Sequence, residues 1–468
     1  MISETVVELS RAQFALHAVQ YFLFVPLTVG LSLLLAGFES WFVVSGQLFY
    51  QTATQFWGKL FSICFGLSIA VSLAMLCQFG ANWSYFSHYA GDVFAMPLLL
   101  GVAGLFIAAN GLGWFLFGWQ RLGKGAHLCA TWLIAIGCHL SLFGFLIASG
   151  WMQNPTGAEL NVQTLRLELI DLSAVLTNSL AWAKFVHSLL ASYVLAAGFV
   201  LAISAYYLLM QRETDLAQRC YRIAAAFGLV TLIATMAIGD TSVYGPGVMQ
   251  HNKLAAINGL SIDAALEQNR QRIVNGIKAY ALLQELRDDK KQPELLAGFA
   301  AAKVDLAYAL LLKRWRESVT DASPVQIEQT LQASLPATAP LYWGYRIMIA
   351  TGCLLALLFL TTNAANLLGW RPNWLFKVSL YALPLPWLAS ASGWFISEFG
   401  RQPWLVADVL PTWQGVSTLT VPDITVSLMV YGLAYAGLLA LAVMLTLKII
   451  EQGSADALPI NREPSYVA

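Results

Sequence analysis

The chain has 468 residues, of which 58% are hydrophobic and 11% are charged, and its 26 basic residues balance its 26 acidic ones. So few charged residues cannot cover a water-soluble globule of this length, which excludes that class. The formal net charge of zero gives no general attraction for nucleic acid. The composition predicts an all-α integral membrane protein built from packed helical bundles in a lipid bilayer.

Nine mostly apolar segments predict membrane-crossing helices, because about 20 such residues cross roughly 30 Å of hydrocarbon. The first segment follows Glu4, Glu8 and Arg11 and precedes no small-residue cleavage site, so we expect it to remain in the mature chain. The nine segments lie near residues 14–37, 58–79, 94–118, 128–150, 185–210, 220–239, 341–368, 374–397 and 424–449.

The short loops predict the orientation, because Lys and Arg concentrate on the cytoplasmic side of a membrane. The loops after the first, third, fifth and seventh segments are the more basic ones, whereas those after the second and fourth contain only Arg166 and Lys184. We therefore expect the N-terminus outside and the C-terminus, with Lys448, inside.

The order of these segments predicts four regions. Residues 1–239 form an N-terminal membrane bundle of six helices, and residues 341–450 form three further membrane helices. The hydrophilic stretch 240–340 has Leu and Ala at helical spacing, which indicates amphipathic helices folded as an outer loop. Residues 451–468 are expected to be a flexible tail on the cytoplasmic side.

A histidine and a methionine inside apolar segments are the first candidates for a functional site. His187 and Met348 are polar or polarisable groups at positions where an unneeded polar group is expensive. Brought together, they are a possible axial pair for a low-spin haem. In the predicted orientation both lie near the outer surface, at the level of Glu398 in the eighth segment and of Tyr21 and His17 in the first. The alternative is a hydrogen-bonded histidine and a core methionine that never meet.

Several distinctive motifs are spread over nearly the whole chain. The long ones include QFGANWSYFSHYAGD (78–92), GWMQNPTGA (150–158), NKLAAI (252–257), APLYWGYRIM (339–348) and GWFISEFGRQPW (393–404). The shorter ones are FLFVPLT (22–28), FWGKLF (56–61), KFVH (184–187), NGIKAY (275–280) and LLLKR (310–314). Through these motifs the chain resembles subunit I of the cytochrome bd quinol oxidases.

The resemblance implies a haem subunit of the bacterial inner membrane that oxidises quinol near the outer face and, with a second membrane subunit, reduces oxygen to water. It makes His187 and Met348 the axial ligands of low-spin haem b, with Arg346 near the haem propionates. It makes Glu398 a ligand of a high-spin haem, and Lys253 a residue of the quinol-binding loop. High-spin haem b and haem d belong to the same implied set of cofactors.

The chain departs from the family pattern at five positions. Tyr21 replaces the histidine ligand of the first helix, and Gly101 and Ala109 replace two glutamates of the third. Ala391 replaces a glutamate of the eighth segment, and Asn258 replaces the glutamate that follows KLAAI in the quinol loop. These losses predict that the high-spin position carries no haem or an atypically ligated one, and that quinol oxidation is weak or lost.

Each remaining site residue also has a structural interpretation. His17 is one turn from Tyr21 and can supply a displaced nitrogen, and a Tyr phenolate can hold haem iron, but Tyr21 can equally fill a vacated pocket while His17 faces a neighbouring helix. Glu398 is either an iron ligand or a carboxylate paired with Arg401. Lys253 either hydrogen-bonds a quinone oxygen or is a solvated charge.

The sequence therefore leaves three functions open. The first is a subunit of a bd-type quinol oxidase that passes electrons from quinol through the His187/Met348 haem toward oxygen. The second is a diverged paralogue that supports a complete subunit I-like chain as scaffold or accessory haem carrier. The third is a non-catalytic membrane module that binds quinone or haem as a sensor or assembly partner.

Overall fold

The computed structural model describes residues 3–243, 248–260, 263–288 and 293–454, which are helical for most of their length. The predicted tail 451–468 lies outside the described residues from 455 onward. The helices are α1 (Glu4–Ser45), α2 (Leu48–Gly80), α3 (Ser84–Gly118), α4 (Lys124–Gln153), α5 (Leu172–Leu176), α6 (Ser179–Leu209), α7 (Thr214–Val243), α8 (Val248–Asn258), α9 (Asp263–Asp288), α10 (Pro293–Ala302), α11 (Leu306–Leu310), α12 (Pro324–Gln332), α13 (Thr338–Leu367), α14 (Asn373–Tyr381), α15 (Leu385–Phe399) and α16 (Val421–Gln452).

Two small antiparallel hairpins complete the secondary structure of these ranges. Strands β1 (Ala158–Asn161) and β2 (Arg166–Leu169) pair in one, and β3 (Trp404–Val406) and β4 (Leu410–Pro411) pair in the other. Short 3₁₀ turns cover Lys303–Asp305, Leu311–Arg314 and Thr412–Gln414.

The described residues contain nine helical segments that are long and apolar enough to cross a membrane, so the prediction of an all-helical membrane protein is confirmed. Eight of them coincide with predicted segments. The ninth, Pro293–Arg314, is divided into α10, α11 and two 3₁₀ turns, and α10, α11 and the turn Lys303–Asp305 pack along α9. The predicted segment 374–397 is instead divided into α14 and α15, because the chain turns at a proline-containing stretch between them.

Polar side chains fix where several of these helices begin. The Asn178 side chain accepts hydrogen bonds from the backbone N–H groups of Leu180 and Ala181 and caps α6. Thr420 and Asp423 form a capping box at the start of α16. Such caps satisfy backbone donors that have no partner within the helix.

Helix α1 lies at the centre of the bundle and contacts α2, α4, α6 and α16. Helices α3 and α4 make the most extensive contact, and glycines allow it. A Cβ added at Gly104 or Gly111 of α3 would meet the backbone of α4, and one added at Gly137 or Gly144 of α4 would meet the backbone of α3. Small residues that let two backbones approach in this way are typical of membrane helix interfaces.

The loop helices and both hairpins gather at one end of the bundle, which we call the loop end. There the backbone N–H of Ala407, beside β3, donates to the carbonyl of Met152 at the end of α4 over 2.8 Å. Arg314, which follows α11, forms an ion pair with Glu4 at the start of α1. These contacts place the N-terminus of α1 and the C-termini of α4 and α15 next to the loop helices.

Candidate functional site

The candidate pair His187 and Met348 lies on two helices that stay apart. His187 belongs to α6 and Met348 to α13, and each of these helices packs against α7 and α15 but makes little contact with the other. Helices α7 and α15 therefore each contact both α6 and α13, and the two candidate residues lie on helices that are separated from each other. A flat group held from both sides by axial ligands requires such a separation.

The ring of His187 has an unused nitrogen. Its Nδ1–Cε1 edge faces α7, near the Thr235 carbonyl and Gly239, and the buried Nδ1 forms no hydrogen bond with the residues described. Metal-ligating histidines hold iron through one ring nitrogen while the other faces a backbone carbonyl, so the ring fits that role.

Met348 lies near the loop helix α8. It packs against a small buried cluster that contains Ala256 and Ile257 of α8 and Ile396 of α15. Its Sδ faces Gly393, where an added Cβ would lie 3.2 Å away. The thioether is thus held between α13, α15 and the loop.

Arg346 ties the same part of α13 to α8. Its guanidinium lies 3.2 Å from the centroid of the Tyr342 ring, and Nη1 donates to the backbone carbonyls of Ile257 and Tyr342 over 3.1 Å each. No carboxylate of the described ranges forms an ion pair with it. Its charge therefore remains available for an anionic group, as expected of a residue near haem propionates.

Glu398 is surrounded by cations at the loop end. Its Oε2 lies 3.0 Å from Nη2 of Arg401, and its Oε1 lies 3.2 Å from Nζ of Lys184 on α6. Ser149 and Gln153 of α4 donate to Oε1 over 3.3 and 3.4 Å. Two nearby cations favour the ionised carboxylate. Lys184, Ser149 and Gln153 were not singled out as site residues from the sequence, because Lys184 precedes the fifth apolar segment and Ser149 and Gln153 are uncharged.

Lys253 reaches this cluster from α8. The stem of its side chain lies against Gly400, where an added Cβ would be 2.6 Å from Cδ and 2.8 Å from Cγ. Burial, together with the positive charges of Lys184 and Arg401, lowers the pKa of Lys253 to about 8, although Glu398 opposes the shift. The structure thus brings a loop lysine to the carboxylate cluster, while Asn258, the last residue of α8, is exposed to solvent.

An apolar cavity of about 400 Å³ lies between α1 and α15 and ends at Glu398 and Arg401. Ala391 is part of its wall, and the Phe22 ring of α1 stacks on Trp394 of α15 at 4.0 Å between centroids. Arg401 is 7% exposed, and its buried Nε has no hydrogen-bond partner among the described residues. An apolar wall with a few convergent polar groups is typical of a small-molecule site.

Tyr21 and His17 have different surroundings, and neither lines this cavity. Tyr21 is 7% exposed, its hydroxyl has no partner in the described part of the chain, and its ring packs edge-on against Phe145 of α4 at 6.0 Å. The same Phe145 ring covers Gly101, where an added Cβ would lie 3.2 Å from it. Tyr21, Phe145 and the close contact of α3 with α4 thus fill the space beside Gly101.

His17 faces α2 and α16. Its Nδ1 lies 2.8 Å from the Gln13 carbonyl and its Nε2 lies 3.2 Å from the Gln78 amide nitrogen. The ring packs edge-on against Tyr431 and Tyr435 at 4.4 and 5.3 Å. Donation from Nδ1–H to the carbonyl and acceptance at Nε2 use both ring nitrogens in protein contacts.

A second buried group lies near the opposite end of the bundle and was not expected from the sequence. Glu39 of α1 is 1% exposed, and its Oε1 lies 2.5 Å from Nδ1 of His127 on α4. Thr131 donates to the other carboxylate oxygen, and Nε2 of His127 lies 3.0 Å from the Phe115 carbonyl. Glu39 lies just beyond the first predicted segment and His127 just before the fourth, so hydropathy gave no signal for this pair.

Comparison with known proteins assigns the chain to a family. The family model for cytochrome bd terminal oxidase subunit I matches residues 9–454. The chain is 39% identical to cytochrome bd-II ubiquinol oxidase subunit 1 of Escherichia coli (strain K12), over 92% of the chain and 93% of that protein. It is 29% identical to cytochrome bd ubiquinol oxidase subunit 1 of Bacillus subtilis (strain 168), over 97% of each.

A solved structure has the same fold. The bd oxidase from Geobacillus thermodenitrificans aligns with a TM-score of 0.75 over 97% of this chain and 100% of the other, at 19% identity. At that identity the likeness supports the fold of the bundle and no individual residue role.

Proposed function

Because the chain belongs to the cytochrome bd terminal oxidase subunit I family, we propose that it is a haem-binding subunit of a bd-type quinol:oxygen oxidoreductase. In this role it accepts electrons from membrane quinol through a low-spin haem b held by His187 and Met348. The observation that carries the proposal is that the His187 ring turns Nδ1 toward the Thr235 carbonyl and Gly239 of α7, which leaves Nε2 as the nitrogen that can hold a ligand. When bound, the haem supplies a one-electron centre whose potential is raised by His/Met ligation.

The residues around His187 and Met348 suit both a haem and the quinol that reduces it. Arg346 offers a charge that has no carboxylate partner in the described ranges and suits a propionate. Lys253 offers an ammonium group that can donate a hydrogen bond to a quinol oxygen, and α8 holds it within one cluster with Glu398. Since α8 also contacts α13, the loop joins the quinol residue to the haem ligand.

The proposal places the protein in the bacterial inner membrane, with the loop end and the N-terminus outside and the C-terminus inside. A second membrane subunit completes the complex. The charge distribution of the short loops supports this orientation.

A second candidate function is that of a diverged paralogue that assists a complete subunit I-like chain. The packing of Tyr21 and Phe145 over Gly101 favours it, because side chains occupy the region from which the histidine and glutamate are missing. The residues there do not fit a histidine-ligated haem. Glu398 and Arg401 remain at the end of the α1/α15 cavity, so this chain keeps one possible high-spin position there.

Haem counting on the purified complex tests both candidates. One to three haems per chain and a reduced-minus-oxidised spectrum with a low-spin b band are expected, and His187→Leu and Met348→Leu should each remove that band. Retention of the band in both variants contradicts the proposed ligands. A d-type band from this polypeptide alone excludes the paralogue, whereas copurification of a second, complete subunit I-like chain supports it.

A further inference from the structure

Two glycines inside helices face the two proposed axial ligands. A Cβ added at Gly239 of α7 would lie 3.1 Å from Cε1 and 3.4 Å from Nδ1 of His187. A Cβ added at Gly393 of α15 would lie 3.2 Å from Sδ of Met348. Apart from backbone of the same helix, no other described atom lies within 4 Å of either added group.

The backbone does not explain these glycines. Neither has a positive φ, so any residue could adopt its helical conformation. Glycine inside a helix costs about 1 kcal/mol relative to alanine. Some helical glycines of this chain, such as Gly113 and Gly352, have open space beside them, whereas Gly239 and Gly393 each have a side chain in close approach.

The neighbours of the two glycines indicate which approach they serve. The glycines of the α3/α4 contact face backbone atoms, so they bring two helices together. Gly239 and Gly393 face an imidazole and a thioether instead. A methyl group at either position would displace the ligand side chain by a few tenths of an ångström.

We propose that Gly239 and Gly393 are positioning residues that give the His187 ring and the Met348 thioether the room to point at a common iron. This inference rests on the proposed function, because it concerns how the chain presents those two ligands. Ligand bonds are sensitive to direction, and the iron–thioether bond is the one whose weakening lowers the potential that His/Met ligation raises. The glycines would therefore influence the spectrum and the potential of the low-spin haem through the two ligand side chains.

The test compares Gly239→Ala and Gly393→Ala with Gly352→Ala in the purified complex. Gly352 lies on α13 one turn beyond Met348, and a Cβ there would meet nothing within 4 Å. Haem content, the low-spin band and a redox titration are measured for each. For Gly393→Ala we expect at least a tenfold fall in the ratio of reduced to oxidised low-spin haem at a fixed potential, and for Gly239→Ala a weaker low-spin band. Gly352→Ala should match the unchanged protein.

The inference is overturned if both test variants match Gly352→Ala in spectrum and potential. Loss of structure alone would lower the yield without shifting the potential of the haem that remains, so the titration separates the two causes. If one variant does not accumulate, the other tests the same idea at the opposite ligand. His187→Leu and Met348→Leu separate failure of the proposed function from failure of the positioning role. If these two variants keep the low-spin band, the proposed function fails. If they lose the band while both glycine variants keep the parent spectrum and potential, only the positioning role fails.

Discussion

Replacement of Gly101 by glutamate would return a carboxylate to the third helix, where the family resemblance places one. We expect this change to destabilise the protein instead of restoring an acid to its interior. Gly101 is buried, and a Cβ at this position would already lie 3.2 to 3.3 Å from three ring atoms of Phe145. On the other side, a Cβ at Gly144 would overlap the Gly101 backbone, so α3 and α4 are in direct contact there.

The expected loss of folding free energy is the sum of three contributions: the first methyl group, the volume of the longer side chain and its charge. The first methyl group costs little, because alanine is favoured over glycine in a helix by about 1 kcal/mol and the Phe145 ring has only to shift slightly. The longer side chain overpacks the contact, which costs about 1–3 kcal/mol. An ionised carboxylate without a paired cation costs several kcal/mol more, and Phe145 offers no donor. The sum is about 4 kcal/mol or more, against a typical total stability of about 5–15 kcal/mol.

The assay is a series at one position. Gly101→Ala, Gly101→Gln and Gly101→Glu separate the first methyl group, the volume and the charge, and Gly113→Ala on the same helix, where a Cβ would meet nothing, is the control. The folded fraction in detergent and its loss on heating should fall in the order alanine, glutamine, glutamate, with Gly113→Ala unchanged. A Gly101→Glu protein that is as stable as the parent, or that gains oxygen reduction, refutes the reasoning.

Three further predictions concern the loop. The ammonium group of Lys253 loses its proton as the pH rises through about 8, so we expect the KM for quinol to rise above that pH. Arginine keeps its charge in this range. Lys253→Arg should therefore abolish the rise when the KM is measured over a pH series. Asn258→Glu supplies a proton acceptor and should raise the rate of quinol oxidation relative to Asn258→Gln; an unchanged rate would count against a role for this position. Arg272 lies 2.7 Å from Asp305 and 3.0 Å from Asp408. Arg272→Ala should therefore cost about 2 kcal/mol, less than a fully buried pair because the carboxylates are partly exposed, and speed proteolysis of the loop; equal cleavage rates would contradict this.

Hydropathy predicted the fold class because a bilayer leaves few alternatives to helices that satisfy their own backbone groups. It also located eight of the long helices, and the motifs identified the family, which the comparisons confirm. The division of the segment 374–397 could also have been predicted from the sequence, since Pro384 and Pro386 lie at the break between α14 and α15. Pro293–Arg314 is as apolar as the crossing helices, so its division into α10, α11 and two 3₁₀ turns could not be predicted from hydropathy.

The partners of the site residues could not be predicted in the same way. Glu398 pairs with Lys184, which precedes it by more than two hundred residues, because α6 and α15 meet in space. The spacing of His17 and Tyr21 predicts a shared helix face, but their neighbours differ, since His17 meets α16 and Tyr21 meets α4. Periodicity gives the face of a helix, whereas the element opposite that face follows only from the tertiary fold.

The glycines of the α3/α4 contact and those of α7 and α15 face different kinds of atoms, and this difference connects the packing to the proposed function. A glycine that faces a backbone closes a space, as Gly144 does against Gly101, whereas a glycine that faces a ligand side chain keeps one open, as Gly239 and Gly393 do. The family resemblance places a glutamate at position 101. The glycine found there lacks the acid and also allows the close contact between α3 and α4. Under the proposed function, if the α1/α4 side holds no haem, an electron that enters at a haem between His187 and Met348 would have to leave through the cavity that ends at Glu398 or through a partner chain. The haem count of the isolated polypeptide decides between these two routes.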